Sequence, residues 1–432
     1  MLIVDTKLKE LERQGKPIRV GMIGAGYMAR GFISQLLSPV KGMRLVALSN
    51  RTLDRAEQRL AEAGGPPSCR VGNAAEVDQA IRAGKIAISE DPFALCEAEQ
   101  IDILVESTGA VEFGAQVALR AFAHGKDLLM VNAELDATVG PLLKRRAARA
   151  GVIVSNTDGD EPGVAMNLVR FVDTLGYRPV MAGNIKGFYN PYRNPETQAE
   201  FAAKVNQGPR MITSFADGTK LSMETTILAN AAGFRVAKRG MHGYKCAHVK
   251  EILQHFTAAD FHDHGLVEFV LGAEPGTGAF VVGYNENPIQ QEYMRYFKMG
   301  DGPLYLFYTP YHLPQLEFAI SIARIVLFRD APVTPIGPPM CDVVAVAKRD
   351  LRPGEVLDGI GGFDCYGMIE NADVSVPQEL LPMGLAEGCT LLREVAKDQA
   401  VSYADVTLPP GRLCDQLRAE QCAMFSTVNT TV

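Results

Sequence analysis

The chain has 432 residues, 47% of them hydrophobic and 22% charged, with a formal net charge of -7. That mixture can bury a core, and the length divides into about two to three domains. The negative balance excludes a general polyanion surface, and with it nucleic acid as a partner, but leaves room for a local basic pocket that takes one phosphate.

No apolar run reaches the roughly 18 residues that cross a bilayer, so no membrane partner is expected. The start, "MLIVDTKLKELERQGK", turns charged too early for a secretory signal. The eight cysteines are scattered without a Cys-x-x-Cys pair. A soluble cytoplasmic protein with reduced thiols is the expectation.

From residue 18 onward, "IRVGMIG", "RLVALSN", "KIAIS", "IDILVES", "KDLLMVN" and "GVIVSN" read as strands, and helical spacing lies between them at 27–38, 52–63 and 111–123. Continuous apolar strands that alternate with helices predict a parallel sheet covered on both faces, a doubly wound (Rossmann) α/β domain over 1–157. The first strand runs into "GAGYMA", which places Gly24, Gly26 and Ala29 at GxGxxA spacing around Tyr27 and Met28. Gly24 serves the turn, Gly26 lets the backbone approach a pyrophosphate, and Ala29 allows close helix packing, while the helix start offers unpaired N–H groups. A dinucleotide cofactor follows from this context.

About 20 residues further on, an acid commonly holds the ribose 2'-OH of NAD. Here "LVALSNRT" puts Asn50 and Arg51 at that place. A guanidinium pairs with a 2'-phosphate, so the pattern favours NADP(H); the alternative is that Arg51 begins a solvated loop. Ser107, Thr108 and Gly109 follow the fourth predicted strand, at the sheet edge where such folds bind the rest of the cofactor. Thr108 equally suits a helix cap.

Residues 158–336 change texture. The runs "VMAGNIKGFYNPY", "GLVEFVLGA", "GAFVVGYN" and "PLYLFYT" are strand-like, with helices near 163–175, 196–206 and 220–232, which predicts an α+β domain. The proline-rich "RDAPVTPIGPPM" reads as a linker to a third, short-stranded module over 337–432.

A hydride carrier needs a proton donor beside a polarised carbonyl, which means Lys, His or a metal held by carboxylates. "SNTDGDEPG" offers Asp158, Asp160 and Glu161, and "GNIKGFYNPYRNP" offers Lys186, Asn190 and Arg193, although both also fit ordinary turn chemistry. "SFADGTKLSMETTILAN" sets Asp217, Lys220 and Glu224 at the start of an apolar helix, with Lys220 and Glu224 one turn apart. A surface cap with a salt pair is one reading; Lys in the first turn opposes the helix dipole, which favours a catalytic one. His242 and His248 are further candidates whose simpler role is structural hydrogen bonding, and the "FHDHG" pair His262 and His264 around Asp263 has an alternate spacing that could bind a metal on one side of a strand, a short turn being its simpler reading.

The order of the GxGxxA domain, "AGNIKGFYNPY" and "DGTKLSMETTILAN" resembles the homoserine dehydrogenase superfamily, with Asp217 and Lys220 at the positions of its catalytic Asp and Lys. The segments "RDLRPGEVLDGIGGFDCYG" and "LPMGLAEGCTLLREVAKDQAVSYADVTLP" look like a SAF domain. The combination is similar to bacterial 1-deoxy-D-xylulose-5-phosphate reductoisomerase-like enzymes of isoprenoid precursor synthesis. The chain departs from homoserine dehydrogenases where their Asn-Lys pair would stand, since Asn132 is followed by Ala133 and Glu134.

The resemblance implies an NADPH-dependent oxidoreductase acting on a small phosphorylated carbonyl compound, with a small-molecule substrate as partner and a homo-oligomer as the expected assembly. Lys220 is then the proton donor, with Lys186 beside it and Asp217 and Glu224 orienting it or holding Mg2+ or Mn2+. Asn190, Arg193 and Asp160 face substrate, Lys186 or Arg193 anchors its phosphate, and Asn132 joins the cofactor residues. The alternatives are a homoserine-dehydrogenase-like reductase of another aldehyde or 2-oxo acid, and a non-catalytic NADP-binding sensor.

Overall fold

The computed structural model describes residues 2–37, 40–261 and 264–426. The chain packs as two compact units. The first takes in the chain up to Asp136, Leu142–Asp160 and Leu313–Thr334; the second takes in Ala137–Pro141, Glu161–His312 and the chain from Pro335 onward.

The first unit is built on a seven-stranded sheet of β1 (Ile18–Ile23), β2 (Met43–Ser49), β3 (Ser68–Arg70), β4 (Ile86–Ser89), β5 (Ile103–Glu106), β6 (Asp127–Met130) and β7 (Val154–Asn156), in the order β3-β4-β2-β1-β5-β6-β7. All its pairings are parallel. Strands β4, β5 and β6 are buried throughout, which is why they read as unbroken apolar runs without alternation. This is the doubly wound α/β fold. The sequence runs account for every strand except β3, a three-residue edge strand too short to carry a period.

Helix Leu2–Gln14 was also not anticipated. Its charged face hides Val4 and Leu8, one turn apart, which join the core under β1 and β2. Helix Pro314–Phe328 returns to this unit, where Phe318 meets Phe32 with ring centroids 4.5 Å apart. A Cβ on Gly31 would lie 2.7 Å from the Gln315 Cβ, so the glycine permits that helix contact. The proline-rich segment is not a free linker at its start. Val333 is fully buried, bridges Asn156, and accepts the Asn156 N–H at 2.9 Å, because Val333 and Thr334 interrupt the prolines and can add to the edge of β7.

The second unit holds a mixed sheet of β8 (Arg178–Lys186), β9 (Tyr244–Lys245), β10 (Leu266–Leu271), β11 (Ala279–Tyr284) and β12 (Leu304–Thr309), ordered β12-β11-β8-β10-β9. β8 pairs in parallel with β10 and antiparallel with β11, as expected of an α+β domain. Helix Glu161–Thr174 packs on β8 and β11. Helix Thr219–Ala232 runs through the unit's centre, with nearly every residue buried. It packs on helix Glu161–Thr174 and the sheet, and also on β13 (Cys341–Ala347) and β14 (Cys365–Asn371), an antiparallel pair.

The carboxyl-terminal segment is therefore integral to this unit. Asn230 Oδ1 accepts the N–H groups of Met340 (2.7 Å) and Cys341 (3.1 Å), and the Gly367 N–H donates to Thr219 Oγ1 at 2.8 Å. Buried Arg418, on helix Leu413–Ser426, donates to both Asp342 oxygens at 2.7 Å. No helix among the described residues is long and apolar enough to cross a membrane.

Candidate functional site

In the first unit, β1 ends at the glycine turn. Gly24 has φ 106°, a conformation that suits glycine, and a Cβ there would lie 3.1 Å from the Ser107 carbonyl oxygen and hydroxyl. Nothing lies within 4 Å of a Cβ built on Gly26, so space is open beside it. Ala29 is fully buried, whereas Tyr27 opens helix Tyr27–Leu37 exposed. Met28 Sδ accepts from Gln315 Nε2 at 3.0 Å.

Asn50 ties the turn together, accepting the Ala25 N–H at 3.1 Å and donating to the Thr52 carbonyl at 2.8 Å. Its amide therefore supports the loop. Arg51 beside it is exposed, with no hydrogen bond or ion pair among the described residues. The Ser107 hydroxyl donates to the Ile23 carbonyl at 3.1 Å, joining the ends of β1 and β5. Thr108 donates through both its N–H and its hydroxyl to Glu106, a fully buried carboxyl that burial pushes above its ordinary value. Gly109 follows with φ 69°. Asn132 is buried and caps helix Ala133–Arg149, accepting the Leu135 N–H at 3.0 Å and donating to the Ala110 carbonyl at 3.1 Å. Both ends of its amide are occupied locally, which points to a structural task.

In the second unit, Lys186 at the end of β8 sits between two glutamates. Its ammonium pairs closely with Glu161 and lies 3.4 Å from Glu224 Oε2. The Lys186 side chain is 20% exposed, against 2% for Glu161 and 4% for Glu224. Burial pulls the Lys186 ammonium down, but the two carboxylates outweigh it and hold it above its ordinary value. Burial pushes Glu224 up to about 8; Lys186 opposes the rise, and the charge of Glu161 and a hydrogen bond to it reinforce it. Lys220 also acts on Glu224, as its one-turn spacing predicts.

Asn184 Nδ2 donates to Glu161 Oε2 at 2.7 Å, and the buried Asn184 Oδ1 has no hydrogen-bond partner among the described residues. His312 Nδ1 lies 3.8 Å from Glu161 Oε1. Two carboxyls and an amine in one buried cluster can hold and pass a proton.

Asp217 differs from expectation. It is fully buried, so it is no surface cap, although its Oδ1 does accept the Thr219 N–H at 2.8 Å at the helix start. Its Oδ2 accepts from Lys348 Nζ at 2.8 Å, and the same ammonium donates to the carbonyls of Arg193 (2.8 Å) and Gly362 (2.7 Å). Burial raises the Asp217 carboxyl, with Lys348 opposing. Each Asp217 oxygen thus accepts a hydrogen bond within the second unit. Among the described residues no cluster of three His, Cys, Asp or Glu side chains is arranged to hold a metal ion.

Asn190 makes a turn, accepting the Tyr192 N–H at 3.1 Å, and its own N–H donates to the Ala216 carbonyl at 2.9 Å. The Arg193 guanidinium stacks over Phe188 at 5.3 Å. The loop of Asn190 and Arg193 and the start of the Asp217 motif thus meet. Asp160 is half-buried at the end of a first-unit segment. Asp158 is structural, bound by Ser321 and Arg324.

Among the histidines, His242 is held by Glu268, whose carboxylate accepts the N–H groups of His242 and Gly243. His248 Nδ1 caps the 3-10 turn Val249–His255 by accepting the Lys250 N–H at 3.1 Å. His264 lines a cavity of about 440 Å3 with His242 and His255, while His262 and Asp263 lie outside the described residues.

From sequence Glu161 stood only as one of three acids in a polar turn, and Lys348 was not selected. Glu161 opens a helix after an acidic turn, a pattern shared by ordinary caps, and the only signal for Lys348 is its place at the end of a wholly apolar strand.

Residues 159–318 match the family model described as "Oxidoreductase DRL, catalytic domain". A homoserine dehydrogenase from Methylobacillus glycogenes is 27% identical over 140 residues, 31% of this chain and 30% of that protein. Among solved structures, an NAD binding oxidoreductase from Klebsiella pneumoniae is 19% identical with a TM-score of 0.29, covering 40% of this chain and 43% of that one. A myo-inositol dehydrogenase from Lactobacillus casei, in complex with NAD(H) and myo-inositol, is 12% identical with a TM-score of 0.41, covering 75% of this chain and 89% of that one.

Proposed function

We propose that the chain is an NADPH-dependent oxidoreductase that reduces a small phosphorylated carbonyl compound, most specifically a 1-deoxy-D-xylulose-5-phosphate reductoisomerase-like enzyme. The observation that carries this reading is the buried Glu161–Lys186–Glu224 cluster, inside the segment matched by an oxidoreductase catalytic-domain family.

The cofactor residues fit the task. Open space beside Gly26 lets backbone approach a pyrophosphate, and exposed Arg51 suits a 2'-phosphate. NADPH, when bound, supplies the hydride. On the substrate side Lys220 is the proton donor, Glu224 and Glu161 set the charge around Lys186, and Lys186 or Arg193 anchors the phosphate. Reduction of the carbonyl consumes one hydride and one proton; for a ketose phosphate, rearrangement of the carbon skeleton to an aldehyde precedes it. No step is assigned to a metal ion on Asp217 and Glu224.

Purified protein supplied with NADPH tests the reading. Oxidation with 1-deoxy-D-xylulose 5-phosphate alone supports it. Oxidation only with aspartate semialdehyde or a 2-oxo acid shifts it to a homoserine-dehydrogenase-like reductase, and binding without turnover makes the chain a sensor. The proposal includes a homo-oligomer, which light scattering decides.

A further inference from the structure

Helix Pro288–Tyr296, between β11 and β12 in the second unit, has no buried residue. Its amphipathic pattern is inverted. Ile289, Tyr293, Tyr296 and the following Phe297 are each between 61% and 77% exposed, and their spacing of i, i+4, i+7 and i+8 sets all four on one face. The side turned to the protein is the polar one. Gln290 Oε1 accepts from Asn285 Nδ2 at 2.5 Å, and Gln291 Nε2 donates to the Asn285 carbonyl at 3.2 Å. Asn287 caps the helix by accepting the N–H groups of Ile289 (3.0 Å) and Gln290 (3.2 Å), so the apolar face is presented on a fixed element. Tyr296 and Phe297 already meet edge to face, with ring centroids 5.1 Å apart.

We propose that this face docks a second copy of the chain, helix against helix and antiparallel about a two-fold axis. With about 150 to 250 Å2 for each aromatic side chain and somewhat less for isoleucine, the stripe exposes roughly 500 Å2. Two copies then bury about 1,000 Å2, the size at which a specific interface begins. The charges select a copy over another partner. Glu292 and Arg295, three residues apart, border the stripe on one side, and neither has an ion pair among the described residues. In an antiparallel pair the same borders meet, so Glu292 of each copy faces Arg295 of the other, with the axis between Tyr293 and Met294, near the middle of the stripe. Opposite charges so placed fix the register of the pair. The inference rests on the proposed homo-oligomer, to which it gives a surface, and hydride transfer does not enter it.

Sedimentation equilibrium of the full chain measures the association, with circular dichroism to show that each variant is folded. The wild type is expected to be a dimer at about 10 μM. Tyr293→Ser with Tyr296→Ser should weaken it by at least about a hundredfold, since each copy loses two aromatic anchors. Glu292→Arg and Arg295→Glu, each alone, should weaken it about tenfold by setting like charges together twice, and the two combined should return it to within about threefold of wild type. This charge exchange decides if the serine variant does not fold. A wild type that stays monomeric up to about 100 μM overturns the inference and the homo-oligomer together, while its turnover with NADPH judges the oxidoreductase reading alone. A dimer that survives the serine substitutions overturns the inference and moves the homo-oligomer to another surface. Loss of the dimer with the tyrosines but no response to either charge overturns the two-fold pairing. Wild type that pellets with phosphatidylcholine–phosphatidylserine vesicles, when the serine variant does not, makes the stripe a membrane contact and overturns the docking of a copy.

Discussion

At the scale of single residues, Glu224 gives a prediction with a definite sign. Its folded value of about 8 lies above the ordinary 4.5, so the fold prefers the protonated acid. The stabilising preference is fully present below the unfolded value and is lost as pH rises through about 8. Urea unfolding at several pH values should show wild-type stability declining across that window, with a shallower decline in Glu224→Gln. Lys220→Met should keep the fold and lower turnover by at least about a hundredfold, the lower range for a lost acid-base group; a near-wild-type rate removes Lys220 from the mechanism. For the cofactor, Arg51→Ala should weaken NADPH by about 1.5 to 3 kcal/mol more than NADH if a charged hydrogen bond to the 2'-phosphate is formed. Equal losses in titrations with both cofactors would leave Arg51 as part of a loop.

At the scale of elements, helix Thr219–Ala232 depends on how it begins. Gly218 has φ 86°, and any side chain there meets the Tyr189 ring. Left-handed backbone costs a non-glycine residue about 1 to 2 kcal/mol and overpacking about 1 to 3, so Gly218→Ala should destabilise the protein by roughly 2 to 4 kcal/mol in chemical unfolding. The helix itself was legible from sequence, as were the strands of the parallel sheet, because unbroken apolar runs bounded by glycine and polar turns leave few alternatives. β3 was not, since three residues carry no period, and neither was helix Leu2–Gln14, whose buried Val4 and Leu8 stand among charges. The Gly24 turn was legible for a local reason: its spacing lies within one strand, turn and helix. The partners of Asp217 and Lys186 were not, because Lys348 is 131 residues from Asp217 and Glu161 is 25 from Lys186, and nothing in a single sequence pairs charges over such separations.

At the scale of the whole molecule, the question is whether the carboxyl-terminal segment is a module appended at residue 337 or a structural half of the second unit. The contacts favour the second. Removing it would strip Lys348 from Asp217, the Gly367 N–H from Thr219, and the Met340 and Cys341 N–H groups from Asn230, along the length of one central helix. Leaving a buried charge without its partner costs about 3 to 5 kcal/mol, a large part of the 5 to 15 kcal/mol that holds an ordinary domain together. The loss of β13, whose residues are all buried, removes apolar cover as well. A chain cut to residues 1–336 should therefore lose the cooperative unfolding transition of the second unit, and trypsin should cleave within 161–312 much faster than in the full chain. An appended module predicts the opposite: a truncated chain that still resists trypsin over that segment and melts at nearly the parent temperature. That result would restore the three-domain division expected from sequence and would confine the role of Lys348 to the stability of its own segment.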